Sequence, residues 1–345
     1  MPERDTAGAM LLSEEDMALV DAMQINPRIS WGELSAVLDA DASTIARRWN
    51  RLKASGAAWT TVMPGSTQTS QITVAYIQID CEVDRWRGIV DWLFAQPHVV
   101  TVQHLSGELT LWCAVFAPSE MALSEYVVSI LPSVPGIRKI RTNIATRVFD
   151  SSRQWRLKVL SRREAEKVQP ESKRSTATHD FDRTDRRLFS LLAVDARTPT
   201  SVLAERLGIS QRSVQRRINY LVNSGDVEFR CDLARSLAGW QSGAILWIDV
   251  PEAAIEQVGR DLVNWEETRS CAAIAGMTNL MLTTALHTAK DLYSFTRRLT
   301  AAFPEVTIAD RQIVLRQYKL YGHILSPTGQ KTATAEVDPW YLSGA

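Results

Sequence analysis

The fold of this chain follows from two stretches, residues 13–56, SEEDMALVDAMQINPRISWGELSAVLDADASTIARRWNRLKASG, and residues 182–225, DRTDRRLFSLLAVDARTPTSVLAERLGISQRSVQRRINYLVNSG. They lie 169 positions apart, and the same offset still aligns Gly107 with Gly276 far downstream. A register that is kept without a gap over such a length indicates that one unit was duplicated. We therefore expect both halves of the chain to share one fold.

The composition is that of a globular protein with several domains. The 345 residues are 45% hydrophobic and 23% charged, and this length exceeds what one core usually serves. Lys+Arg and Asp+Glu both number 39, so the formal net charge is zero. This balance argues against a sequence-independent coat for nucleic acid but allows local basic patches, because screening limits phosphate attraction to about 8 Å.

The termini and cysteines exclude several classes of protein. No apolar run approaches the roughly 18 residues of a membrane helix, and the start, MPERDTAGAM, has no signal-peptide core. We therefore expect a cytoplasmic protein without membrane contact. The cysteines do not repeat at the 169 offset and have no paired spacing, which predicts buried free thiols and no metal site: Cys81, Cys113, Cys231 and Cys271.

Residues 12–58 predict three short helices. Ser13 caps the first, Ser30 with Glu33 forms a capping box for the second, and the third extends from Ser43 to Ser55 before Gly56. The second copy predicts the same helices at 182–194, 200–207 and 211–224. A short extended stretch follows each third helix, at 57–63 and 226–231, and is interpreted as a wing strand beside a DNA groove.

Each third helix has one apolar and one basic face. The apolar faces carry Ile45, Trp49 and Leu52 in the first copy and Val214, Ile218 and Leu221 in the second. Arginine and hydroxyl side chains on the opposite face suit a major groove, although a solvated helix face is the alternative. We predict DNA contacts from ten residues. Those assigned to base edges are Ser43, Arg47, Arg51, Arg212 and Arg216; those assigned to phosphates are Thr44, Arg48, Ser213 and Arg217; and Gln211 completes the set.

The larger module of each copy has the order βαββαβ. The strands alternate at 72–80, 99–105, 109–116 and 137–147, and again at 241–250, 268–275, 280–286 and 306–318. This order predicts a ferredoxin-like fold, with four antiparallel strands and two helices on one face. The other face is too apolar to meet water, so we expect it to pack, sheet on sheet, against the other copy or another chain.

These helix stretches, together with the glycine corners LSGELTLW (105–112) and IAGMTNLM (274–281), resemble the Lrp/AsnC, or feast/famine, family of regulators. The resemblance covers nearly the whole chain, twice. It implies dimers built through the large module, larger rings of dimers, and small effectors, often amino acids, bound near the glycine corner. The corner residues are Ser106, Gly107, Glu108 and Thr110 in the first copy and Ala275, Gly276, Thr278 and Asn279 in the second. The family often has an acidic residue where Thr110 and Asn279 stand. The chain therefore departs from the pattern for an amino-acid effector. A plain hairpin turn that binds no ligand is the alternative.

The predicted fold is thus α+β, with two copies of a winged helix-turn-helix domain followed by a ferredoxin-like domain. The boundaries are 11–65 and 180–235 for the helix-turn-helix domains, 70–149 and 240–322 for the ferredoxin-like domains, 150–179 for a linker and 323–345 for a tail. Within the linker, 154–168 predicts a basic helix and 169–179 a flexible segment. The tail has little pattern.

These patterns favour a sequence-specific transcriptional regulator that binds double-stranded DNA, is modulated by an amino acid or another metabolite, and forms an intrachain pseudo-dimer within a homo-oligomer. The sequence contains no HExxH, GxSxG, P-loop or GxGxxG motif, so we predict no catalytic residue, cofactor or metal. Sirohaem decarboxylases resemble the same family fold and use histidines, which makes His104 the candidate for an enzymatic alternative, although Ala273 stands at the equivalent position. An effector sensor that has lost DNA binding is the third hypothesis.

Overall fold

The computed structural model describes residues 11–150, 155–170 and 181–344, in which the two copies fold alike. The elements of the first copy are α1 (Glu14–Ile25), α2 (Trp31–Leu38), α3 (Ala42–Ala54), β1 (Ala58–Pro64), α4 (Ser66–Thr69), β2 (Thr73–Cys81), α5 (Trp86–Phe94), β3 (Val99–Leu105), β4 (Leu111–Ala117), α6 (Glu120–Glu125) and β5 (Ile137–Asp150). A linker helix, α7 (Arg162–Val168), follows. The elements of the second copy and the tail are α8 (Arg183–Val194), α9 (Thr200–Leu207), α10 (Gln211–Asn223), β6 (Val227–Leu233), β7 (Ser242–Asp249), α11 (Ile255–Leu262), β8 (Thr268–Ala275), β9 (Leu280–Leu286), α12 (Asp291–Ala302), β10 (Thr307–Leu320), β11 (His323–Leu325) and β12 (Lys331–Thr334).

The helix boundaries follow the local chemistry of the sequence. Ser13 caps α1, and Ser30 with Glu33 forms the capping box of α2, as predicted. The corner between the second and third helix is left-handed in both copies, at Asp39 (φ 47°) and Gly208 (φ 68°). Glycine and aspartate tolerate this backbone better than branched residues, which explains why these residues stand at the corners.

The strands that follow the third helices are not wings. β1 and β6 pair with each other in an antiparallel ribbon, from Ala58 opposite Leu233 to Pro64 opposite Val227. Every residue of β1 is buried. The wing prediction is therefore wrong, because these backbone edges hydrogen-bond to the other copy instead of lying exposed beside a groove.

The two ferredoxin-like sheets join into one closed barrel. Each copy orders its strands as predicted, β3-β4-β2-β5 and β8-β9-β7-β10, all antiparallel. β5 also pairs with β8, and β10 also pairs with β3, so eight strands form a ring. The expected partner, the other copy, is confirmed, but the sheets share their edges instead of stacking as two separate layers.

The length of the last strand in each copy explains the closure. β5 and β10 are each 14 residues long. The first half of β5 pairs with β2 in its own copy, and residues from Ile144 onward pair with β8 of the other copy. In β10, residues up to Ile313 pair with β7 of the same copy, and residues from Val314 onward pair with β3 of the first copy. The exchange satisfies the sheet edges that a lone ferredoxin-like module would expose.

The barrel separates the apolar core into layers. Its interior holds large side chains from both copies, among them Tyr76, Trp112, Phe116 and Trp247. The outer faces pack under the helices in two separate clusters, one per copy. Both faces of each sheet are therefore covered within a single chain.

The linker and the tail pack on the helix-turn-helix domains. The predicted basic helix at 154–168 is shortened to α7, since Lys158 has a left-handed backbone (φ 56°). The amides of Lys158 and Leu160 donate to the carboxylate of Asp21, which is fully buried in the first domain. In the tail, the ring of Trp340 lies edge-on to Phe189 of the second domain. The part of the flexible segment at 171–179 lies outside the described residues.

Two equivalent arginines hold the helix-turn-helix domains together. Arg28 donates to the carbonyl of Ala196 in the other copy. Arg197, 169 positions later, donates to the carbonyls of Pro27 and Ile29 at 3.0 and 2.8 Å. Its guanidinium also lies 3.9 Å from the ring centroid of Trp31. The two domains therefore form one unit with fixed spacing.

Candidate nucleic-acid interface

The third helices, α3 and α10, bury their apolar faces and expose their basic faces. The buried side chains are the predicted ones: Ile45, Trp49, Leu52, Val214, Ile218 and Leu221. No acidic residue lies within either helix. This geometry follows from the 100° spacing of side chains along a helix.

Exposure divides the predicted DNA-contacting residues into two groups. Those assigned to base edges are exposed, as is Gln211: Ser43, Arg47, Arg51, Gln211, Arg212 and Arg216. Those assigned to phosphates are half-buried along the flanks: Thr44, Arg48, Ser213 and Arg217. Within the described ranges, Arg47, Arg212 and Arg216 form no ion pair, so these three guanidinium groups are available to a ligand.

Two of the predicted arginines are instead held by acidic side chains of their own domain. Arg217 donates to Asp185 at 2.7 Å and to Asp182 at 3.0 Å. Burial alone lowers the pKa of Arg217, but these two carboxylates outweigh it and raise the pKa above its usual value. In the first copy Arg51 donates to both carboxylate oxygens of Asp16 at 2.7 Å.

The two copies therefore anchor the same acidic position with different arginines. Asp16 and Asp185 are equivalent, but Arg51 is equivalent to Tyr220 and Arg217 to Arg48. The sequence did not distinguish these roles, because a basic residue on a helix looks the same whether it faces solvent or an acidic neighbour.

Replacing Arg217 by alanine is expected to lower the free energy of unfolding by about 2–3 kcal/mol, since the fully buried carboxylate of Asp185 loses the guanidinium that donates to it. The measurement is thermal or urea denaturation. The exposed neighbour Arg216→Ala is the matched control and should change stability by less than about 0.5 kcal/mol. An Arg217→Ala protein of native stability that binds all DNA more weakly would restore the phosphate role that the sequence suggests.

The first glycine corner, between β3 and β4, contacts the second copy. Gly107 has the left-handed backbone of a tight corner (φ 104°). Ser106 exchanges hydrogen bonds with Ile313 of β10: its amide donates to the carbonyl at 2.8 Å, and its hydroxyl accepts from the amide at 2.9 Å. Glu108 is exposed and lies 3.8 Å from Lys139, while the hydroxyl of Thr110 lies 3.8 Å from the thiol of Cys81.

The second glycine corner, between β8 and β9, is built differently. The side chain of Asn279 accepts from the amide of Val250 at 2.9 Å and donates to its carbonyl at 2.7 Å. Gly276 lies so close to Asn143 of β5 that an added Cβ would stand 2.4 Å from its amide oxygen. Ala275 is exposed and Thr278 is buried. Both corners therefore lie at the seams between the two copies, and effector binding there stays a prediction.

His104 lies on the helix-covered face of the first sheet. Its ring is edge-on to Trp86 of α5, with centroids 5.5 Å apart, and its Nδ1 lies 3.4 Å from the hydroxyl of Tyr318. Burial lowers the pKa of His104. Among the described residues, no group of three histidine, cysteine or acidic side chains is placed to hold a metal ion.

A charged cluster between the ribbon and the barrel was missed by the sequence analysis. Asp232 is 3% exposed and forms two hydrogen bonds with Arg230, at 2.8 and 2.6 Å. Arg269 lies 3.7 Å from the same carboxylate. Burial and the nearby cations Arg235 and Arg230 lower the pKa of Arg269 to about 9. The sequence did carry a signal for this cluster, because an arginine stands at position 269 where the first copy has the apolar Val100.

No helix in the described part of the chain combines the length and the apolar character needed to cross a bilayer.

Comparison with known proteins identifies the family to which these domains belong. A model of the AsnC-type helix-turn-helix domain matches residues 181–221, and a model of the Lrp/AsnC ligand binding domain matches residues 74–155 and 243–324. An uncharacterised HTH-type transcriptional regulator of Pyrococcus abyssi is 27% identical over 138 residues, which are 40% of this chain and 87% of that protein. The HTH-type transcriptional regulator LrpA of Pyrococcus horikoshii is 24% identical over 140 residues, 40% of this chain and 99% of that protein.

One solved structure matches the tandem arrangement as a whole. The siroheme decarboxylase NirDL superposes with a TM-score of 0.57 over 92% of this chain and 96% of its own, at 14% identity. At this identity the likeness concerns the fold alone. The family models together span more than half of the 345 residues and assign the ligand binding domain to both copies, so the chain belongs to the Lrp/AsnC family, in a form that carries the family's two-part unit twice.

Proposed function

We propose that this chain is a sequence-specific DNA-binding transcriptional regulator whose two helix-turn-helix domains bind one DNA duplex together. The observation that carries the proposal is the pair of exposed basic faces on α3 and α10, held by a ribbon and two arginines that fix their spacing. Family relatives are named HTH-type transcriptional regulators, which agrees with this function.

In this proposal α3 and α10 enter major grooves. Arg47, Arg212 and Arg216 contact base edges, where a guanidinium can donate two hydrogen bonds to guanine. Arg48 and the hydroxyls of Thr44 and Ser213 contact phosphates, which position the helices without selecting sequence. The faces of the two copies differ, so the two half-sites are not a perfect palindrome.

We further propose that a small metabolite modulates DNA binding, and that the chain forms homo-oligomers in addition to its internal pseudo-dimer. Such a regulator acts where the chromosome lies, so the proposed function implies the cytoplasm. The glycine corners remain the sites that the family resemblance suggests. Because the two corners differ in side chains and in hydrogen bonding, we expect them to differ in affinity for any one effector.

The proposal includes no decarboxylase activity. The enzymatic alternative depends on His104, which packs against Trp86 and Tyr318 on the helix-covered face instead of facing the barrel interior. The equivalent residue, Ala273, supplies no second histidine. Incubation of the purified chain with an iron-uroporphyrin III analogue tests this point, and we expect no absorbance change beyond that of the free pigment.

The test of the regulator function is binding to fragments of the source genome at increasing salt. We expect a subset of fragments to be retained at salt concentrations that release the rest, with affinity falling steeply as salt rises because bound arginines displace counterions. Equal retention of all fragments would contradict sequence specificity. No retention at low salt would favour the effector sensor that has lost DNA binding.

A further inference from the structure

A cavity of about 70 Å³ lies inside the barrel at the end near the β1–β6 ribbon. Each enclosed water needs about 10–15 Å³ of such space, and a cavity of about 150 Å³ holds benzene, so this cavity has room for several waters or for an organic molecule smaller than benzene. Its walls come from both copies. The first copy contributes aromatic and polar side chains, Tyr76, Gln103 and Trp112, and the second contributes Arg235, Arg269 and Gln317.

The charge around the cavity is unbalanced. Three guanidinium groups, those of Arg230, Arg235 and Arg269, surround one carboxylate, that of Asp232. Arg230 occupies both oxygens of that carboxylate. Arg235 and Arg269, the two arginines on the cavity wall, therefore carry positive charge that the carboxylate does not fully balance. Buried charge of one sign is unfavourable unless an anion compensates it.

Three buried polar atoms of side chains that line the cavity have no hydrogen-bond partner among the residues that the structure describes. They are the donors Nη1 of Arg235 and Nε1 of Trp112 and the acceptor Oε1 of Gln103. The other end of the Arg235 guanidinium is fixed, since its Nη2 donates to Gln317 at 3.1 Å. An unpaired buried polar group costs about 1–3 kcal/mol, so a molecule in the cavity that bonds to these atoms would gain affinity from them.

The shape of the wall restricts what that ligand can be. The rings of Tyr76 and Trp112 stack, with their centroids 5.6 Å apart and an angle of 12° between their planes. Val74, Phe116 and Val314 continue the apolar surface. An apolar wall with one charged end favours an organic anion over an inorganic one, because inorganic phosphate would bury polar oxygens against carbon.

The two copies diverge at these positions. Trp112 is equivalent to Met281, Gln103 to Ala272, and Arg269 to Val100, although the surrounding strands pair in the same register. Arg235 and Gln317 are likewise equivalent to Ser66 and Val148. Among the described residues, the pseudo-symmetric barrel therefore brings the arginines and the aromatic pair together around this cavity, and the equivalent positions of the other copy do not repeat the set.

We propose that this cavity binds a small organic carboxylate, with its carboxylate accepting hydrogen bonds from Nη1 of Arg235 and Nε1 of Trp112 and facing Arg269, and its apolar body against Tyr76 and the aliphatic side chains of the wall. A donor group on the body can reach Gln103. The site is distinct from both glycine corners, and the proposal stands whether or not the chain binds DNA.

Calorimetry on the full chain tests the proposal with acetate, propionate, propionamide and inorganic phosphate as separate probes. We expect the two carboxylates to bind with a stoichiometry of about one per chain and to raise the melting temperature. Propionamide, which has the shape of propionate without the charge, and phosphate, which has charge without an apolar body, should bind at least about tenfold more weakly.

Variants locate the site. Arg235→Gln should weaken the binding of propionate about tenfold or more, and Trp112→Phe, which keeps the stacking but removes the N–H donor, should weaken it about threefold to tenfold. Arg163→Gln, an exposed arginine in α7, is the matched control and should bind as the native chain does.

Three outcomes would overturn the proposal: neither carboxylate binds, propionamide binds as well as propionate, or the affinity for propionate is the same in the native chain and Trp112→Phe. The last comparison holds even if Arg235→Gln fails to fold, because phenylalanine keeps the aromatic packing at position 112. DNA binding is not part of any readout, so failure here leaves the proposed regulator function untouched.

Discussion

The double variant Arg47→Ala, Arg216→Ala is expected to bind the chain's specific DNA site between roughly thirtyfold and twenty-thousandfold more weakly than the native chain, while melting at the same temperature. An arginine that contacts a base contributes about 1–3 kcal/mol, and these two lie on helices of different copies, so their effects should add. Both side chains are exposed and, within the described residues, form no ion pair. Their loss should therefore leave the fold intact.

The measurement is a fluorescence-anisotropy titration against the specific site and against a scrambled duplex, at matched salt. Arg163→Ala, Arg311→Ala removes two exposed arginines outside the basic faces of α3 and α10 and serves as the charge-matched control. Native affinity in the Arg47, Arg216 variant would remove both helices from the proposed interface. An equal loss on both duplexes would mean that the two arginines contact phosphates and not bases.

The sequence predicted the elements that depend on local chemistry. The capping box of Ser30 and Glu33 lies where the pattern placed it, and the left-handed corners fall on Asp39 and Gly208, residue types that tolerate this backbone. The apolar and polar faces of α3 and α10 also follow from spacing alone. Duplication made these assignments stronger, because each pattern occurs twice.

The sequence could not predict which strands pair across the two copies. β1 looked like a wing because an alternating strand after a third helix has the same pattern whether it is free or paired with β6. The barrel closure depends on the second halves of β5 and β10, which pair with residues more than a hundred positions away. Such long-range pairing leaves no mark in a local pattern.

Side-chain roles in the site were only partly predictable. The exposed face of α10 was found, but the ion pair of Arg217 with Asp185 depends on how α8 packs against α10. The cavity was missed for a related reason. The repeat indicates only the residues that both copies retain, and Trp112 and Arg269 are positions at which the copies differ.

Replacing Asp232 by asparagine is expected to lower the free energy of unfolding by about 3–5 kcal/mol, because the buried arginines around it lose the negative charge of this carboxylate. Asp232 is 3% exposed and is the carboxylate shared by Arg230 and Arg269. Asparagine keeps the size of the side chain, so the loss reports charge and not packing. Urea denaturation at neutral pH measures the effect, and exposed Asp249→Asn is the matched control.

The pH dependence separates this electrostatic account from a general weakening of the fold. Burial alone raises the pKa of Asp232, but the guanidinium groups of Arg230 and Arg269 outweigh it and hold the pKa below its usual value. A carboxyl whose pKa is lowered by folding stabilises the protein above the pKa of the unfolded state, about 3.9, and loses that contribution as pH falls through the folded value. The difference in stability between the native chain and Asp232→Asn should therefore be constant from pH 8 to pH 5 and narrow below about pH 4. A difference that stays the same at pH 3, or an Asp232→Asn chain as stable as the control, would contradict the role of this carboxylate in holding the arginine cluster.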